Sequence, residues 1–118
     1  EIGNVEMGRE MIARNRLDNM RFLTADVGTL RDSLAGSESP DVIIVDPPRS
    51  GLTKEVLRHL HTFDPARIAY VSCNPKTLEN NLRRFSLTSR YAIRLISAYD
   101  MFPHTRHVEV ICILDRVS

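Results

Sequence analysis

Residues Val42-Ile43-Ile44-Val45 form an unbroken β-branched run that halts at Asp46-Pro47-Pro48. β-branched side chains favour a pleated chain, and a run with no polar position has no face suited to water. Both faces are therefore expected to be covered, as in a parallel sheet with helices against it. The prolines fix φ and lack an N–H, so the strand cannot continue past Asp46. The cluster Gly36-Ser37-Glu38-Ser39-Pro40 just before it is a loop by composition.

The rest of the chain alternates around this strand. Thr53–His61 reads as a helix with Thr53 as its N-cap, and Arg67–Ser72 as a second apolar strand. Lys76–Phe85 reads as a second helix with Leu78, Leu82 and Phe85 on one side. Tyr91–Tyr99 and His107–Leu114 read as two further strands with no helix between them, so they are expected to pair antiparallel. Upstream, about Val5 to Arg16 suits an amphipathic helix, Met20–Leu23 a short strand ending near Asp26, and Gly28–Leu34 a weak helix. Strand–helix alternation predicts a three-layer α/β fold with ligands at the carboxyl ends of the strands.

Composition bounds the function classes. A chain of 118 residues is expected to form one domain spanning 1–118. A 42% hydrophobic and 26% charged composition argues against disorder, and a net charge of +1 excludes a strongly basic nucleic-acid clamp while leaving a local basic surface open. No apolar run approaches the ~20 residues needed to span a bilayer, so no membrane partner is expected. Two cysteines are too few for a disulfide scaffold, which points to free thiols and a cytoplasmic location.

Three polar segments sit just after expected strands. Cys73 follows Tyr70-Val71-Ser72 and precedes Asn74-Pro75, where the chain turns toward a helix. A free cysteine is usually a small buried hydrophobe, but this one is presented at the ligand edge, beside a helix N-terminus that attracts negative charge. Cys112, inside Val110-Ile111-Cys112-Ile113-Leu114, keeps the buried reading. Asp46 either caps a turn or, with Pro47 and Pro48, forms a stiff corner that holds a planar group at the sheet edge. Similar corners with an aromatic residue next occur in enzymes that methylate exocyclic amino groups. Here Arg49 stands in that place, which disfavours that chemistry and favours contact with a phosphate or a polarised base oxygen. Glu109 is either an edge-strand charge facing water or a carboxylate acting as a base in a pocket. His104 and His107 flank it, but two histidines at this spacing match no metal motif, and no metal is expected. His59 and His61 read as surface residues of a helix.

The three motifs DPPRSGL, YVSCNP and DMFPHTRHVE, in this order, closely resemble the catalytic half of the RNA uracil-5-methyltransferases. The similarity begins near Val5, since ARNRLDNMRFLTAD also resembles the family's helix, strand and acidic residue. It implies a Rossmann-like class I methyltransferase sheet, mostly parallel with a C-terminal antiparallel pair. It also implies S-adenosylmethionine as cofactor and a tRNA or rRNA uridine as substrate. Cys73 is implied as the nucleophile toward carbon 6 and Glu109 as the base that removes the carbon 5 proton. Asp26 and Asp46 are implied in cofactor binding, with Glu1 as a candidate for the ribose. Substrate contacts are expected from Arg49, Pro48, Asn74 and His104.

The family's glycine-rich loop has no counterpart here, so the chain resembles the C-terminal part of the catalytic domain, lacking its first strands. The Val42–Val45 strand is then expected to expose an unpaired edge through which the chain self-associates. Two other readings stay open: an inert methyltransferase fragment, and a receiver-like phospho-acceptor module with Asp46 as acceptor. The receiver reading lacks the acidic pair after a first strand and the lysine after the last parallel strand.

Overall fold

The computed structural model describes residues 2–26, 39–86 and 90–117. The chain divides into two compact units, Glu1–Ser37 and Glu38–Ser118. Both Glu1 and the helix expected over residues 28–34 lie outside the described residues.

In the first unit, α1 spans Ile2–Arg14. It ends in a Schellman motif: Arg16 N donates to Ala13 O at 3.2 Å and Leu17 N to Ile12 O at 3.0 Å, with Arg16 in the left-handed region at φ 54°. The Phe22 ring packs on Gly8, where an added Cβ would stand 2.7 Å from it. Residues 20–26 form no strand, contrary to the expectation. A strand is held by the ladder of its neighbours, and β propensity alone supplies none.

The second unit holds the sheet. Its strands are β1 (Val42–Val45), β2 (Arg67–Ser72), β3 (Tyr91–Tyr99) and β4 (Glu109–Arg116), in the order β1-β2-β4-β3. β1 and β2 are parallel, while β4 lies between β2 and β3 and runs antiparallel to both. Two helices connect the strands, α2 (Lys54–Phe63) and α3 (Pro75–Ser86). Thr53 caps α2, its hydroxyl accepting from Val56 N at 3.3 Å. Asp64 closes α2 in the left-handed conformation and binds Arg116 at 2.9 Å and Arg90 at 3.2 Å.

Strand alternation divides the sheet into two unlike faces. Ile68, Tyr70, Val110, Cys112 and Leu114 point to one side and form a buried core with Leu57 and Leu60 of α2 and Leu78, Leu82 and Phe85 of α3. Full burial of each large aliphatic or aromatic side chain is worth about 1.5–3 kcal/mol. The two core tyrosines keep their hydroxyls satisfied, Tyr70 on Asn81 and Tyr91 on Pro65 O, each at 2.9 Å. The alternate positions carry Arg67, which grips Asp115 at 2.6 and 3.0 Å, and the exposed Val42 and Ile44. The expectation that both faces of β1 are covered is therefore corrected. Ile43 and Val45 pack against the core, whereas Ile44 remains 72% exposed, because both helices of this unit contribute to one core on one face. This unit accordingly has two layers.

Candidate active site

The register of β2 on β4 brings two of the sequence-selected side chains together. The last rung pairs Ser72 with Val110. Cys73 directly follows β2 and Glu109 opens β4 beside that rung, so the register brings both residues to the same end of the sheet. Both residues are half-buried and line one cleft of about 280 Å³ with Arg49, Phe102, Thr105 and His107. The alternative reading of Glu109 as an edge-strand charge does not fit this topology, since β4 is an interior strand.

The cleft is built on two loops tied together at the carboxyl ends of β1 and β2. After Asp46, the chain turns at Pro48–Gly51, Gly51 N donating to Pro48 O at 2.8 Å. Gly51 has φ 77°, and a Cβ there would stand 2.6 Å from Asn81 Oδ1, so glycine is required twice over. Asn81, buried on α3, accepts from Leu52 N at 2.9 Å and from the Tyr70 hydroxyl at 2.9 Å, and donates to Leu52 O at 3.0 Å. Asn74 caps α3 by accepting from Lys76 N at 3.2 Å, and its Nδ2 donates to Arg49 O at 3.1 Å. The Thr77 hydroxyl also reaches Arg49 O, at 3.2 Å. Ser72 Oγ accepts from Asn74 N at 3.1 Å, fixing the turn that contains Cys73. Pro75 follows the cap at the first helical position, where its missing N–H costs no helical bond.

Arg49 is anchored by its carbonyl and aimed by its side chain. Its guanidinium lies 3.3 Å from His107 Nδ1. Guanidinium can only donate, so Nδ1 is the accepting nitrogen of this contact. His107 is placed in turn by its backbone N–H, which donates to Thr105 Oγ1 at 3.2 Å, while the Thr105 hydroxyl donates to Phe102 O at 2.7 Å.

The other selected residues fall into different places. Asp46 and Pro48 are exposed at the carboxyl end of β1, and Asn74 is half-buried behind Arg49. Asp26 is exposed in the first unit. His104 is exposed with φ 69° and does not line the cleft, whereas His107 does. Cys112 is fully buried, and burial pushes its thiol up to about 11. No group of three or more His, Cys, Asp or Glu able to hold a metal occurs among the described residues, and none of their helices is long and apolar enough to cross a membrane.

Sequence reasoning missed Thr77, Asn81 and Ser72, which clamp the loops, and Phe102 and Thr105, which line the cleft. Asn81 carried a signal, an amide between Leu78 and Leu82 on the apolar side of a helix. His61, read as a surface residue, is half-buried with its ring 5.3 Å from Phe85 and 5.8 Å from Tyr91.

Comparison with known proteins places this arrangement among relatives. A family model described as tRNA (Uracil-5-)-methyltransferase matches residues 3–117. The chain is 39% identical over 110 residues to a 23S rRNA (uracil(747)-C(5))-methyltransferase of Shewanella amazonensis, covering 93% of this chain and 28% of that protein. It is 43% identical over 120 residues to a 23S rRNA (uracil(1939)-C(5))-methyltransferase of Alkalilimnicola ehrlichii, covering 95% and 25%. The crystal structure of Pyrococcus abyssi tRNA (uracil-54, C5)-methyltransferase in complex with S-adenosyl-L-homocysteine superposes with a TM-score of 0.78 at 35% identity, covering 97% of this chain and 26% of that one. The chain thus spans about a quarter of the length of these relatives.

Proposed function

Because the chain belongs to the tRNA (uracil-5-)-methyltransferase family, we propose that the protein carrying it methylates carbon 5 of a uridine in tRNA or rRNA through a covalent adduct on Cys73. The observation that carries this reading is the cleft that holds one accessible thiol and one carboxylate. Its volume of about 280 Å³ lies at the small end of ligand pockets, which start at about 300 Å³. That size suits a single base rather than a larger ligand.

Carbon 5 of uracil is a weak nucleophile. Addition of the Cys73 thiolate to carbon 6 pushes the ring electrons toward carbon 5 and the carbon 4 oxygen, and carbon 5 can then accept a methyl group. Arg49, held by His107, is suited to the developing negative charge on a base oxygen or to a neighbouring phosphate. Glu109 takes the carbon 5 proton, the double bond re-forms and the Cys73 sulfur is expelled. S-adenosylmethionine, when bound, supplies the electrophilic methyl group. Asp46, exposed at the carboxyl end of β1, fits the hydroxyl and amine donors of such a molecule. Asp26 is carried as a cofactor contact from the family resemblance alone, and Pro48 and Asn74 keep the Arg49 corner in place.

Relatives with three different target uridines are similar to this chain to comparable degrees, so the choice of uridine is expected to rest on other parts of the protein. Free thiols and an RNA substrate point to the cytoplasm. The outer edge of β1 suits self-association of the chain in isolation, since β1 ends the sheet and exposes Val42 and Ile44.

The test uses the full-length protein with labelled RNA on denaturing gels. Cys73→Ala abolishes both turnover and the covalent complex. Glu109→Gln accumulates a methylated covalent complex, because the methyl group moves before the proton leaves. Release of methylated RNA at the normal rate by Glu109→Gln would remove Glu109 from the role of base.

A further inference from the structure

Positively charged side chains rim one further groove of the second unit, whose walls are mostly apolar. Lys54, Leu57, Arg58 and His61 form a single stripe along α2, at the i, i+3, i+4, i+7 spacing of one helix face. With Arg84 from the last turn of α3 and Arg90 at the entry to β3, they line a groove of about 400 Å³. Three elements therefore converge four basic side chains and a histidine on one channel.

Local carboxylates neutralise this charge only in part. Glu55 lies 3.7 Å from Arg58, and Asp64 lies 3.2 Å from Arg90 while also binding Arg116 at 2.9 Å. Lys54 and Arg84 have no carboxylate partner among the described residues, unlike Arg67 on Asp115 or Arg83 on Glu79. Like charges held together without counterions raise the energy of the folded chain, and an anion relieves that repulsion.

The position of the groove selects the anion. Tyr91 pairs with Arg116 at one end of the sheet and Tyr99 with Glu109 at the other, so Arg90 stands roughly 30 Å along β3 from the cleft. Lys54 follows five residues after Arg49, which lines the cleft. Between them α2 extends about 15 Å, so the charges form a track rather than a point. A single small anion would engage only part of it, whereas successive phosphates of a strand can engage its length.

We propose that this groove binds the phosphodiester backbone of the RNA outside the cleft that takes the target base. The inference rests on the RNA reading above. Direct contacts of this kind are not sequence-specific, and they position the strand.

The experiment measures equilibrium RNA binding by the full-length protein across a salt series, with Lys54→Gln/Arg84→Gln compared with the unsubstituted protein. Both side chains are exposed, and an unchanged thermal unfolding curve verifies the fold. Loss of two phosphate contacts weakens binding to every RNA tested and reduces the slope of log affinity against log salt by about 1.5. A control that removes two positive charges elsewhere, Arg14→Gln/Arg94→Gln, keeps the original slope. An equal fall in slope in that control would reduce the effect to net charge and overturn the groove. Unchanged RNA binding by Lys54→Gln/Arg84→Gln, in a protein that still methylates RNA, overturns the groove alone. Absence of RNA binding and methylation in the unsubstituted protein overturns both readings.

Discussion

The two cysteines differ by environment rather than by chemistry. Cys73 is half-buried in a cleft, whereas Cys112 is sealed in the core with its thiol pushed to about 11. Alkylation by iodoacetamide near neutral pH is therefore expected to modify Cys73 about a hundredfold faster or more, as read by peptide mass spectrometry. Comparable rates would mean that the core around Cys112 opens readily. His61 makes a second residue-scale prediction. Burial, then the Arg90 charge, hold its pKa below the ordinary 6.5, while Asp64 opposes the shift. Above 6.5 the ring is neutral in both folded and unfolded chains. As pH falls below 6.5 the unfolded chain takes up the proton first, so stability declines until the folded ring also titrates. Urea unfolding at pH 7 and pH 5 is expected to show this loss, and His61→Phe should reduce it. A pH dependence unchanged by that substitution would exclude His61 as its source.

At the scale of elements, most of the second unit was legible from its periodicity. Val42–Val45, Arg67–Ser72 and Tyr91–Tyr99 begin and end as the hydrophobic pattern predicted, the first two because prolines and the Asn74 cap bound them. The strand foreseen at Met20–Leu23 did not form, since pairing is a property of two segments and pattern reports only one. The insertion of β4 between β2 and β3 was invisible for the same reason. The pairing of loops by Asn81 was also hidden, because an amide on an apolar stripe does not announce which backbone it will bind. Replacing Asn81 with leucine leaves Leu52 N–H, Leu52 C=O and the Tyr70 hydroxyl without this partner. Each buried unsatisfied group costs about 1–3 kcal/mol, so Asn81→Leu is expected to destabilise by roughly 3 kcal/mol or more in urea unfolding. Gly51→Ala should also destabilise, by about 1–3 kcal/mol, through its positive φ and the approach of Asn81. A neutral result for both would mean that the corner moves without consequence for folding.

For the molecule as a whole, the unequal covering of the sheet dominates behaviour in isolation. An outer strand with Ile44 72% exposed offers both unpaired backbone and apolar side chains to another copy. Sedimentation of the 118-residue chain is expected to reveal dimers or larger species, and Ile44→Lys should shift them toward monomer. A monomer at all concentrations would retire the self-association reading. The placement of β4 carries a different consequence, one that concerns the birth of the protein. Translation delivers β1, β2 and β3 before β4, yet β4 is the strand that joins β2 to β3. Glu109 leaves the ribosome about 36 residues after Cys73, a delay on the order of a few seconds at roughly 5–20 residues per second. During that interval the nascent chain carries its thiol without the strand that shields one flank of β2.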